Sequence, residues 1–116
     1  MAEECIFCKI AHGEMPADTV YQDERVTAFR DISPQAKLHV LVITNKHFDS
    51  LNEASADDSD LLAHAMKICA MVARDEGIDQ SGYRVLTNVG EQGGQSVHHL
   101  HFHVLGGETL TTRLGS

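Results

Sequence analysis

Apolar and polar positions change period several times along this chain, and each change predicts an element. Residues 20–29, VYQDERVTAF, alternate on either side of Asp23-Glu24. That alternation predicts a hairpin, with Val20 and Tyr21 on one strand and Val26, Ala28 and Phe29 on the next. DISPQAK then breaks the pattern, because Pro34 removes a ladder donor and Asp31 and Ser33 form turns. LHVLVI, residues 38–43, is apolar on both faces, which predicts a central strand with His39 inside it. From Ser55 to Gly77 the spacing turns helical, and Leu61, Leu62, Ala65, Ile68, Cys69, Val72 and Ala73 form one stripe. Ser55 followed by Asp58 predicts a capping box, and Gly77 suits the stop. A shorter helix is predicted over IFCKIAHG, residues 6–13. YRVLTNV, residues 83–89, alternates again, and the loop GEQGGQS leads from it into HHLHFHVLGG, residues 98–107.

In that last segment Leu100, Phe102 and Val104 alternate with His99, His101 and His103, the period of a half-buried strand. Three imidazoles therefore share one face and the apolar side chains cover the core. His98 is out of register and should point with the apolar face or leave the strand. Several strands, one long helix, one short helix and no regular βαβ alternation predict an α+β fold. About five strands in a largely antiparallel sheet would use all the segments, with helices packed on one face and a site on the other face or at one end.

Composition narrows the function classes. A chain of 116 residues with 42% hydrophobic positions and two prolines makes one domain, residues 1–116, with a real core. Net charge is −8, from 17 acidic and 9 basic side chains, without a Lys/Arg cluster, so nucleic-acid binding is disfavoured as the main role. MAEECIFCKI has neither a basic n-region nor an apolar h-region, and no apolar run approaches the ~18 residues of a membrane span. A cytoplasmic protein with no membrane partner is expected. Cys5, Cys8 and Cys69 make an odd count, so reduced thiols are expected rather than a disulfide framework.

Three half-buried imidazoles each need hydrogen-bond partners, a demand that a plain core strand rarely makes. Two chemistries compete. The histidines could ligate a hydrolytic Zn²⁺, but the carboxylate expected beside such a site is absent from the strand. Alternatively one imidazole attacks phosphorus while its neighbours bind phosphate oxygens; with a reference pKa of about 6.5 it is largely neutral and nucleophilic at pH 7. The loop Gly90, Gly93, Gly94, Gln95, Ser96 could offer backbone N–H groups and a hydroxyl to an anion, although a Gly-rich hairpin connection is commoner than a phosphate cradle.

His99-Leu100-His101-Phe102-His103-Val104-Leu105 resembles the His-φ-His-φ-His-φ-φ signature of the histidine triad (HIT) superfamily. TAFRDISPQAKLHVLVI, GGQSVHH and HVLGG resemble its HINT branch, of histidine triad nucleotide-binding proteins, from about Ile6 to Gly107. The resemblance implies a HIT-like fold in a homodimer that hydrolyses purine nucleoside 5′-phosphoramidates and related AMP conjugates through a nucleotidyl-histidine intermediate, with no cofactor required for catalysis. By position, His101 is the implied nucleophile, His103 binds phosphate oxygens, His99 orients His101, Ser96 bonds the phosphate or the departing amine, and His39 stands behind the triad. Asn88 and Gly94 would shape that pocket. Asp31 would accept from the ribose hydroxyls, and Ile6, Phe7, Ile10, Phe29 and Ile32 would form the purine slot; without the resemblance, these apolar residues read as plain core.

CIFC is a C-x-x-C pair, which in a reduced chain suggests two thiolate ligands awaiting two more. The HINT branch commonly lacks it. Many other bacterial members of the superfamily have it, and the resemblance implies that a histidine matching His47 and the first triad histidine, His99, would complete a closed structural zinc site with Cys5 and Cys8. A redox pair is less expected without a thioredoxin-like βαβ context. Cys69 reads as core, His12 and His64 as solvated, and SADDSD as an exposed helix start. Part of the branch carries tryptophan in a tail that reaches toward the leaving group; this sequence has none, which leaves leaving-group preference open. The rival functions are a dinucleoside polyphosphate hydrolase, against which GGQS and VLGG argue, a metal-dependent hydrolase, and a non-catalytic nucleotide-binding adaptor.

Overall fold

A computed structural model describes residues 5–112. Thr19–Gln22 (β1) and Val26–Arg30 (β2) form the hairpin that the alternation predicts. Its turn is held by Asp23, whose carboxylate accepts the backbone N–H groups of Arg25 and Val26, each at 2.8 Å. Leu38–Thr44 (β3), Tyr83–Leu86 (β4) and His101–Gly106 (β5) complete an antiparallel five-stranded sheet of order β1-β2-β3-β5-β4. β3 is central, as its two apolar faces predict.

Those two faces have different covers. Val26, Ala28, Val40, Val42, Phe102 and Val104 pack against Ala65, Ile68, Cys69, Val72 and Ala73 of Ser59–Asp75 (α2). On the opposite face Phe29, Leu41 and Ile43 pack against Phe7 of Ile6–Ala11 (α1). The expectation of helices on one face is therefore corrected: a strand that is apolar on both sides leaves a second face to be buried, and α1 buries it.

Ser55 and Asp58 form the predicted capping box, ahead of a 3-10 turn, Ala56–Asp58, that runs into α2. Asp58 is buried, unlike the rest of SADDSD, because its carboxylate also accepts from Lys46 Nζ at 3.0 Å. Gly77 ends α2 in the left-handed region, at φ 79°. His64 is not a solvated residue: its Nε2 lies 2.6 Å from Asp23 Oδ2, tying α2 to the hairpin. His12 is exposed, and Cys69 is core, its thiol pushed up to about 12 by burial.

Two strand limits differ from the pattern. β4 stops at Leu86, and Thr87 Oγ1 donates to the His101 carbonyl at 2.7 Å instead. β5 begins only at His101, because the Leu100 N–H is taken by the Phe48 carbonyl at 2.8 Å. His98 accordingly leaves the strand and is exposed. Among the described residues no helix is long and apolar enough to cross a membrane. Residues 1–4 and 113–116, the latter including the tail without tryptophan, lie outside the described residues.

Candidate active site

His101 and His103 project from β5 onto the face opposite α2, paired in register with Ile43 and Leu41 of β3. His99 precedes the strand rather than belonging to it, yet its fully buried ring turns to the same side, 5.9 Å edge-on from Phe7. The predicted alternation thus holds in its division of faces and fails in strand length.

Hydrogen bonds assign the protons. His101 Nδ1 lies 2.6 Å from the His99 carbonyl, which can only accept, so Nδ1 carries the proton and Nε2 keeps its lone pair. His39 Nδ1 accepts the Gln35 N–H at 3.0 Å, which places the His39 proton on Nε2. From there it is donated to His103 Nδ1 at 2.9 Å, leaving His103 Nε2–H as an outward donor. His101 therefore presents a lone pair beside a neighbour that presents a proton.

Burial keeps these rings neutral. It is the leading cause that pushes His103 down to about 4, helped by the repulsion of His101 and His39. Burial likewise lowers His101, against the opposing pull of the His99 carbonyl and Asp31, and lowers His39. A neutral His101 is nucleophilic at pH 7.

A cleft of about 340 Å³ opens beside these rings. Ile6, Phe7, Ile10, Phe29 and Ile32, the predicted apolar slot, all line it, together with Asp31, Ser96, His101 and His103. Ile32 is 98% exposed. Asp31 Oδ1 accepts the Ser33 N–H at 2.7 Å while Oδ2 lies 3.5 Å from His39 Nε2. Asn88 is not brought into this cleft; it lines a neighbouring one on the other side of His103, with Gln35, His39 and Arg84. Gly94 lines neither. The glycines serve the loop itself: Gly94 sits at φ 78°, and a Cβ on Gly93 would fall 2.3 Å from the Val89 carbonyl oxygen.

Sequence reasoning missed Met15, Pro16, Ala17, Asp18, Arg30, Leu41 and Val97 as cleft lining. The signal available was the turn after Gly13, which has to carry the chain from α1 across to β1. It also missed the orienting groups, since the Gln35 N–H and the His99 carbonyl belong to the backbone.

Behind the cleft, Cys5, Cys8, His47 and His99 place one ligand atom each within 4.8 Å of one another. His99 Nε2 donates to the Thr44 carbonyl at 2.7 Å and His47 Nε2 to Asp49 Oδ1 at 2.7 Å. Both Nδ1 atoms are thereby left with lone pairs, and they face each other at 3.1 Å. Cys5 Sγ is 3.1 Å and Cys8 Sγ 3.5 Å from His99 Nδ1, and Cys8 Sγ is 3.2 Å from His47 Nδ1. A tetrahedral ion with bonds of about 2.0–2.3 Å separates its ligands by roughly 3.3–3.8 Å, close to this spacing. Burial first, then the neighbouring Cys5, raises the Cys8 thiol to about 11, so a cation is what would hold its sulfur as a thiolate. The residues present fit a divalent metal, outer carboxylate and carbonyl included.

Comparison with known proteins gives a consistent picture. The HIT domain family matches residues 12–110. A purine nucleoside phosphoramidase of Escherichia coli K12 is 49% identical over 110 residues, 95% of this chain and 92% of its own length. Among solved structures, a HIT family hydrolase from Legionella pneumophila superposes with a TM-score of 0.93 at 46% identity, covering 95% of this chain and 98% of its own. A histidine triad protein from Clostridium difficile gives 0.90 at 46% identity, over 93% and 94%.

Proposed function

The chain belongs to the HIT domain family, and on that premise we infer that it is a purine nucleoside phosphoramidase, a hydrolase of the P–N bond in purine nucleoside 5′-phosphoramidates. One observation carries the mechanism: the His101 proton is held on Nδ1 by the His99 carbonyl, which aims the Nε2 lone pair at the cleft that Phe29, Asp31 and Ser96 share.

With the purine between Ile6, Phe7, Ile10, Phe29 and Ile32 and the ribose at Asp31, the α-phosphorus comes to lie at His101. Nε2 attacks, the P–N bond breaks, and the departing amine nitrogen takes the Ser96 hydroxyl proton, which solvent replaces at this exposed residue. The imidazolium formed at His101 keeps its N–H on the His99 carbonyl, which stabilises the new positive charge. His103 Nε2–H meets the negative charge that builds on the phosphoryl oxygens. Water then attacks phosphorus, breaks the Nε2–P bond and gives its proton to solvent, releasing the nucleoside monophosphate and restoring neutral His101. Residues 1–116 are read as one domain, cytoplasmic and paired with a second copy as a homodimer.

Cys5, Cys8, His47 and His99 are the residues that would hold zinc. A closed four-ligand site supplies folding energy rather than an open coordination position. No step of the reaction runs through it.

The test is turnover of adenosine 5′-phosphoramidate by wild type and His101→Ala, with intact-mass detection of the adduct. Loss of about 10³-fold or more in kcat with His101→Ala is expected, together with an AMP adduct in wild type and, at saturating substrate, turnover that persists in chelator. Activity that survives His101→Ala overturns the nucleophile. A clear preference for diadenosine polyphosphates over phosphoramidates would move the protein to the rival hydrolase reading.

A further inference from the structure

Helix α1 is shared between two sites. Cys5 at its N-cap and Cys8 in its first turn belong to the metal-ligand cluster, while Ile6, Phe7 and Ile10 line the purine cleft. The helix has six residues, with Phe7 and Cys8 its buried ones, far too short to persist without tertiary contacts. Whatever fixes the cysteines therefore also fixes one wall of the cleft.

Two routes lead from the cluster to His101. Along the first, the Phe7 ring sits between the two cysteines in sequence and packs edge-on against both His99, at 5.9 Å, and His101, at 5.1 Å. Along the second, His99 offers its Nδ1 to the cluster and its backbone carbonyl to His101 Nδ1–H at 2.6 Å. A single residue thus offers a ligand atom on one side and sets a tautomer on the other.

We propose that metal at Cys5, Cys8, His47 and His99 and nucleotide in the cleft are linked ligands, each tightening the other's binding, with Phe7 as a positioning residue that carries part of the coupling. The proposal rests on the metal and nucleotide readings above. Metal binding orders α1 and His99, and the nucleotide then meets a wall that no longer has to be immobilised. Linkage makes the effect reciprocal: the factor by which metal raises nucleotide affinity equals the factor by which nucleotide raises metal affinity.

The experiment uses the full chain. Zinc affinity is measured by competition with a chromophoric chelator, with and without saturating AMP, and AMP affinity by calorimetry on zinc-loaded and metal-free protein. Both affinities should rise by one common factor of about fivefold or more, the lower end of typical coupling. In Phe7→Ala AMP should bind more weakly both with and without zinc, because Phe7 also lines the purine slot, but the ratio of the two affinities should fall toward one, and Phe7→Leu should restore part of that ratio. Circular dichroism of the metal-free protein should show the sheet and α2 retained.

Equal AMP affinity with and without zinc overturns the proposal. So does global unfolding on metal removal, because the cluster would then support the whole fold rather than α1. Absence of zinc binding, or absence of AMP binding, overturns it as well and identifies which underlying reading has failed.

Discussion

Which nitrogen carries the proton decides what each imidazole here can do. His101 and His103 are two residues apart on one strand, yet one offers a lone pair and the other a proton, because their Nδ1 atoms face a carbonyl in one case and an N–H donor in the other. His103→Ala should therefore leave the nucleophile intact and remove a donor from the phosphoryl oxygens, lowering kcat by about 10²–10³-fold in single-turnover assays. An adenylylated enzyme should still form, slowly. His39→Ala should fall in the same direction by a smaller factor, since it frees the His103 tautomer without removing the ring. A His39→Ala loss as large as that of His101→Ala would assign His39 a direct role. His101 and His103 were legible in the sequence as part of a period-two run of histidines, and His39 only through the family resemblance. Their protonation was not, because it depends on the Gln35 amide and the His99 carbonyl, backbone groups whose direction no side-chain pattern encodes.

Elements were legible where period and capping agree, as in α2, the hairpin and β3. Their limits were not: β5 starts late because a loop carbonyl, that of Phe48, captures the Leu100 N–H, a contact set by chain segments about fifty residues apart. Ser55→Ala breaks the capping box and should cost about 1 kcal/mol of stability, read as a lower Tm. The hairpin–helix joint at Asp23 makes a pH-dependent prediction. Burial opposes ionisation of Asp23, but hydrogen bonds from Tyr21 and His64 and from the Val26 and Arg25 amides outweigh it and hold the carboxyl well below the usual range. A depressed folded value means that the stabilisation is fully present above the unfolded value of about 3.9 and is lost as the pH falls below it. Asp23→Asn should thus lower Tm at pH 7, and the gap to wild type should narrow as the pH is taken from about 4 toward 2. A gap constant with pH would mean that Asp23 acts through its turn geometry alone.

The molecule as a whole is asymmetric about its sheet. The face under α2 buries a large apolar cluster drawn from β2, β3, β5 and the helix, with no metal-ligand candidate in it except the inert Cys69. The face under α1 buries a smaller one, centred on Phe7, Phe29, Leu41 and Ile43, with the Cys5/Cys8/His47/His99 cluster at its edge. Apolar burial scales with area, so the first face should hold the fold by itself and the second should depend on the cluster. Chelation should therefore act locally. Hydrogen exchange of metal-free protein should show lost protection across α1, residues 6–11, and the 45–50 loop, with β3 and α2 as protected as in the loaded protein. Cys5→Ser with Cys8→Ser should reproduce that map in the presence of zinc. Were protection lost uniformly instead, the sheet would have to be counted as one cooperative unit with its metal, and the division of labour between the two faces would be wrong.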